Sequence, residues 1–537
     1  MSDYKTTIRL SLTVVTALLV GAGLGIMLER AALRDAYTVA RQGDKLTWAL
    51  SEIEERYVDS VTRDSLAELA LPALLQELDP HSVYIPASEF AATNEPLTGT
   101  FDGIGVMFNM LTDTVQITNV ISGGPSAAAG IVAGDRIITV NDSLIAGVKM
   151  DQDKVVGMLR GKRGSTVKLG ILRAPAEDLL PVTVTRGAIP VKSLEASFIV
   201  PGSPETGYIK FSRFAATTYN EVLAALVQLR EQGARKVILD LRGNGGGYLD
   251  QAIYIANEFL AAGRKIVYTE GRASPRADQN ADGLGQFQDV ELAVVIDENS
   301  ASASEIVAGA IQDNDRGVIV GRRSFGKGLV QEQIPYPGQD GSAMRLTVAR
   351  YYTPVGRSIQ KPYTPGDEED YNDELMRRYE HSEMLSADSI HLADSLKYIT
   401  PGGKVVYGGG GIMPDIFVPM DTTGLTPYFS KLFQKNLIFR YAQQASDRYR
   451  KQINAIGSLE ELDRFFADKN LFYDFVAYAD REGVHPTETE MTLSRPIITA
   501  QIKGYIGRNT PLDETAFYYY IFPQDSTLVR AARALQR

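Results

Sequence analysis

At 537 residues the chain can fold as three or four domains, and a core of that size needs no disulfide or metal staple. A formal net charge of -11 argues against a nucleic-acid partner, because phosphate contacts need clustered lysine and arginine. With no cysteine, structural disulfides, thiol nucleophiles and cysteine zinc sites are excluded, and the histidines His81, His381, His391 and His485 lie too far apart in sequence to read as a metal site. No metal and no cofactor are therefore expected.

The chain opens with an address. Ile8 to Leu28 is an almost uninterrupted apolar run, preceded by Lys5 and flanked by Arg9, and long enough to cross a hydrocarbon core of roughly 30 Å. We read residues 1–7 as a short cytoplasmic tail and 8–28 as a transmembrane anchor or signal, which would place the rest outside the inner membrane, in the periplasm. Small residues at Gly21, Ala22 and Gly23 leave a cleaved signal and a secreted product open.

Residues 29–96 read as helical, with apolar positions at Leu46, Ala49, Leu50, Ile53 and Tyr57 and a second run from Leu66 to Leu78. Asp79-Pro80-His81-Ser82 reads as a helix stop rather than as a catalytic histidine. From 97 to 186 the pattern changes to short β runs, Thr114 to Val120, Arg136 to Val140 and Thr166 to Leu172, around a small helix after Pro125. Gly103-Ile104-Gly105-Val106, Gly124-Pro125-Ser126-Ala127 and Ala133-Gly134-Asp135-Arg136 make this stretch resemble a PDZ domain. In such domains a glycine-containing loop takes a terminal carboxylate on backbone N–H groups while the peptide adds a strand, so Gly103, Ile104, Gly105 and Val106 are the candidate tail-binding residues.

From 187 to 420 strands and helices alternate, as in an α/β layered domain: strand Tyr208 to Phe211, helix Tyr219 to Gln232, strand Lys236 to Leu241, helix Tyr248 to Ala262, strand Leu292 to Ile296. Residues 364–400, with Asp367-Glu368-Glu369-Asp370, read as an acidic surface insertion. Residues 421–537 read as a separate, aromatic-rich helical domain.

Chemistry points to Asp297-Glu298-Asn299-Ser300-Ala301-Ser302-Ala303-Ser304-Glu305, between an apolar strand and a helix. A serine on such a turn has free helix N–H groups beside it, yet Ser302-x-x-Glu305 also fits a purely structural capping box. Downstream stand Lys327, 25 positions after Ser302, and Gln331, four after the lysine. With Leu239-Asp240-Leu241-Arg242-Gly243-Asn244-Gly245-Gly246-Gly247 and Gly411-Ile412-Met413-Pro414-Asp415, these residues resemble the C-terminal (carboxy-terminal) processing proteases. That resemblance implies a crotonase-like α/β serine protease core with Ser302 as nucleophile, Lys327 as base and Gln331 orienting it, and substrates cut near their C-termini. Partners would be proteins with apolar free C-termini, with a homo-oligomer or an adaptor protein left open, and Arg160 is a candidate relay at the PDZ edge.

Elementary chemistry agrees with this. No histidine lies between Gly187 and Arg357 to serve a serine there, and a lysine can be a base once apolar neighbours such as Phe325 and Leu329 disfavour its charge. The N–H of Ala303 and that of Gly245 or Gly246 are the candidate oxyanion donors. Two other readings compete. Gly321 to Gly328 nearly spells a P-loop but has Gly328 where serine or threonine must hold magnesium, and a PDZ scaffold on an inactive protease-like body would keep the same fold.

Overall fold

The computed structural model describes residues 45–536 apart from 111–112, 122, 174–175, 177 and 339, together with Gly21 and Met27. The expected anchor at 8–28 otherwise lies outside the described residues. Among the described residues no helix is long and apolar enough to cross a membrane. The chain divides into two units, 1–79 and 80–537. In the first, helices Lys45–Arg56 and Arg63–Gln76 form where the apolar spacing predicts them, the second capped reciprocally by Thr62 and Ser65.

In the second unit, β1 (Val83–Ile85), helix Ala87–Thr98 and β2 (Thr100–Gly103) lead into the PDZ-like domain. Its strands β3 (Val106–Asn109), β4 (Val115–Val120), β5 (Arg136–Val140), β6 (Ser143–Leu144), β7 (Thr166–Leu172) and β8 (Leu179–Thr185) pair in the order β3-β4-β5-β7-β8, with β6 on β5. Alternate residues of β7, Val167, Leu169 and Ile171, are buried against Val155 and Leu159 of helix Gln152–Leu159. Strand β9 (Gly187–Pro190) leaves the domain antiparallel to β2, pairing Gly103 with Gly187, so entry and exit are clasped at one base.

The next strands are β10 (Leu194–Ile199), β11 (Thr206–Phe211), β12 (Lys236–Asp240), β13 (Lys265–Glu270), β14 (Ala277–Asn280), β15 (Glu291–Ile296), β16 (Val318–Gly321), β17 (Leu329–Pro335) and β18 (Ala343–Tyr352). After them come β19 (Lys397–Ile399), β20 (Val405–Tyr407) and β21 (Ile416–Phe417). A sheet in the order β10-β11-β12-β15-β16-β21, parallel from β11 onward, forms the centre. An antiparallel sheet of β1, β18, β13 and β14, with β17 on β18, holds the lysine segment.

Both faces of the central sheet are covered, as its unbroken apolar strands require. Val237 and Leu239 pack against helices Thr218–Glu231, Leu249–Phe259 and Ala303–Asp313, while Ile238 faces Phe522, Leu528 and Ala531. The region 421–537, expected as a separate helical domain, contributes to this second face. Helices between Pro427 and Arg508 do build their own core around Leu432, Phe475 and Ile502, but helix Ser526–Ala534 is the second layer of the central sheet.

Candidate active site

Strand β15 ends at Ile296, and the turn that follows is fixed before the helix begins. The Ser300 hydroxyl donates to the Leu241 carbonyl at 2.8 Å, and Ala301 N–H and the Ser304 hydroxyl donate to the Asn244 carbonyl at 3.1 and 2.8 Å. Ser302 sits at the helix N-terminus with φ 54° and ψ -112°, a backbone conformation that non-glycine residues rarely adopt. Strain of that kind persists only where surrounding bonds over-determine it, and it concentrates at functional positions.

The bond that over-determines it comes from Glu305, whose Oε2 accepts Ser302 N–H at 2.8 Å and Lys327 N–H at 2.9 Å. Its Oε1 takes Gly326 N–H at 2.7 Å and lies 2.5 Å from the Ser324 hydroxyl. Tyr351 points its hydroxyl at the carbonyl oxygens of both Ser302 and Lys327. Two buried side chains thus bind the peptide groups of Ser302 and Lys327 together across 25 residues of chain. Burial pushes the Glu305 carboxyl up to about 7, the four donors notwithstanding, and lifts the Tyr351 phenol well above its ordinary range.

Lys327 precedes strand β17, and Gln331 lies within it beside a bulge after Val330. Their side chains meet, Lys327 Nζ donating to Gln331 Oε1 at 2.9 Å. Gln331 Nε2 donates in turn to the His81 carbonyl.

The glycine loop separates the two oxyanion candidates it contains. Gly246 N–H is buried and already donates to Asn244 Oδ1 at 2.9 Å, so it is not available to an oxyanion. At φ 102° an added Cβ on Gly246 would lie 2.8 Å from Ser302 Cβ, which explains why glycine stands there. Gly245 is exposed, with open space beside its Cα. Ala303 N–H, at the first turn of the helix, has no intrahelical acceptor to reach.

In the PDZ-like domain, Gly103 ends β2, Gly105 has φ 76° and Val106 opens β3. The Ile104 and Gly105 carbonyls accept Ser126 N–H at 2.9 Å and Ile121 N–H at 3.1 Å, which pins the loop, and the Ile104 side chain is in the core. Arg160 caps helix Gln152–Leu159, bonds to Glu95 and lies 4.7 Å from the Phe101 ring centroid. No group of acidic or histidine side chains suited to a metal occurs among the described residues.

Three contributors escaped the sequence reading. Glu305 was half of a capping box, and the signal missed was its setting, the first turn of a helix that is buried throughout. His81 contributes through its carbonyl, and a backbone carbonyl leaves no trace in side-chain chemistry. Tyr351 stands beside Tyr352 near the end of β18, and nothing in the sequence marks it out from that neighbour.

A sequence profile of Peptidase family S41 matches residues 205–371, a PDZ domain profile matches 103–184, and a family of unknown function (DUF8443) matches 428–510. The chain is 34% identical over 358 residues to a carboxy-terminal-processing protease of Bartonella bacilliformis, covering 66% of this chain and 80% of that one. It is 32% identical over 329 residues to the carboxy-terminal processing protease CtpA of Bacillus subtilis, covering 61% and 69%. Among solved structures, a photosystem II D1 C-terminal processing protease aligns at TM-score 0.34 and 24% identity, over 70% of this chain and 92% of that one. The chain belongs to the carboxy-terminal processing proteases of peptidase family S41.

Proposed function

We propose that Ser302 attacks the scissile carbonyl, that Lys327 takes its proton as general base, and that Gln331 aims the amine. The observation that carries this reading is the shared grip of Glu305 and Tyr351 on the peptide groups of Ser302 and Lys327. Serine oxygen is a weak nucleophile until a base accepts its proton, and no histidine lies in the segments that build this turn. As the tetrahedral intermediate forms, negative charge develops on the former carbonyl oxygen, and the N–H groups of Ala303 and Gly245 receive it. Each such donor is worth on the order of 3 kcal/mol of barrier. The protonated Lys327 then gives its proton to the leaving amine, and water repeats the cycle on the acyl-enzyme.

In this reading substrates are extracytoplasmic proteins whose apolar, free C-termini are taken by the loop Gly103 to Val106, with residues 8–28 as membrane anchor or signal. Tail capture turns the meeting of scissile bond and Ser302 into an intramolecular event. The test is one unstructured substrate carrying free, amidated or aspartate-terminated tails. The free apolar tail is expected to be cut fastest, because amidation removes the charge that backbone N–H groups recognise. Equal rates for all three would leave the PDZ-like domain no part in choosing substrates.

A further inference from the structure

The inserted segment 364–400 does not behave as its acidic composition suggests. Helix Glu368–Glu380 exposes Glu368, Glu369 and Asp370 but buries Tyr371 and Arg378. Arg378 Nη1 donates to the Ser324 carbonyl at 2.8 Å and Nη2 to the Phe325 carbonyl at 3.0 Å. The peptide joining Phe325 to Gly326 is consequently held at its oxygen by Arg378 and at its nitrogen by Glu305. A planar peptide gripped at both ends cannot turn, and the next residue is Lys327.

Arg378 is itself fixed. Its Nε donates to Glu374 at 2.6 Å, and the same carboxylate receives Lys361 at 3.2 Å and Arg323 at 3.4 Å, while Arg323 reaches Glu383 at 2.6 Å. Three largely buried cations share two carboxylates, so loss of one member strands the others. Lys361 also lies 4.2 Å from the Phe325 ring centroid and 4.0 Å from that of Tyr371. A second arm reaches Gln331: the Tyr371 hydroxyl is 2.9 Å from His81 Nε2, and the His81 carbonyl accepts Gln331 Nε2. Both members of the proposed base pair are therefore touched from the insertion, Lys327 through the loop before it and Gln331 through His81.

We propose that segment 364–400 is a strap that positions the base, with Arg378 and Tyr371 as positioning residues for Lys327 and Gln331. It rests on the assignment of Lys327 as base. The strap makes no contact with substrate in this account, so its loss lowers turnover and leaves binding alone.

The test is steady-state cleavage of a quenched, unstructured peptide by the full chain. In Arg378→Ala, kcat is expected to fall at least about 30-fold with KM within about twofold, because a mobile base seldom reaches the reactive geometry. Arg378→Lys, which can reach one of the two carbonyls, should recover part of that loss. Tyr371→Phe, which removes only a hydroxyl, should lose about 3- to 10-fold, and the exposed Met376→Ala should match the unsubstituted protein. Added to Lys327→Ala, Arg378→Ala should change the residual rate no further, since the strap acts through that lysine. If Arg378→Ala fails to fold, Arg378→Lys and Tyr371→Phe carry the same test. Unchanged kcat in the folded variants, or a loss that tracks the unfolded fraction, would overturn the strap. Full activity in Lys327→Ala would remove the base assignment instead.

Discussion

Glu305 accepts four donors, none of them a cation, in a site closed to water. Its folded-state pKa stands near 7 against an ordinary 4.5, so the folded protein holds this proton more tightly than the unfolded chain does. For a carboxyl shifted upward the contribution to stability is whole below the unfolded value and is lost as pH rises through the folded one. Between about pH 4.5 and 7 the unsubstituted protein should therefore lose on the order of 3 kcal/mol relative to Glu305→Gln, which cannot ionise. Denaturant unfolding of both proteins across that range checks this, and parallel pH profiles would contradict it. At this scale the candidates Ser302, Lys327 and Gln331 stand out in the sequence through their resemblance to the processing proteases, and the structure joins Lys327 to Gln331. The backbone strain at Ser302 and the commitment of Gly246 N–H to Asn244 were not legible, because both arise from contacts between distant segments.

Helix Ala303–Asp313 carries a buried carboxyl group near each end, Glu305 and Asp313. At its C-terminal end Asp313 meets Arg357 Nη2 at 2.6 Å with both side chains fully buried, and Arg357 also donates to Gln312 at 2.7 Å and to the Tyr407 carbonyl at 2.8 Å. A cation there also suits the negative end of the helix dipole. Asp313→Asn would leave the Arg357 charge buried without its counter-ion, and the expected loss is about 3–5 kcal/mol of unfolding free energy. A loss below about 1 kcal/mol, measured by chemical denaturation, would mean that this pair does not hold the helix. The strands and helices of the central layer were legible from alternation and apolar runs, as Lys236–Asp240 and Glu291–Ile296 show. Composition shows the exposed carboxylates of the insertion, Asp367 to Asp370, but cannot tell them from one matched to buried cations, as Glu374 is to Lys361 and Arg378.

The whole molecule is built so that its last residues finish what its middle begins. Asp525 caps helix Ser526–Ala534 and pairs with Arg242 at 2.8 Å, and Arg242 in turn holds Asp240 at the end of β12, just before the glycine loop. Burial by itself would raise the Asp240 carboxyl, but Arg242 and Lys210 hold it well below the usual carboxylate range. The closing helix was not legible as part of the core because its partners, such as Ile238 and Val295, lie more than two hundred residues earlier. Within this frame the proposed mechanism requires Ser302 and Lys327 to work as a unit. The most direct measurement compares cleavage of an unstructured protein by the full chain with that by Ser302→Ala, Lys327→Ala and the double variant, each checked for folding. Each single substitution should remove nearly all turnover, with little further loss in the double variant. Substantial cleavage by a folded Lys327→Ala protein, or two partial losses that multiply in the double variant, would contradict it.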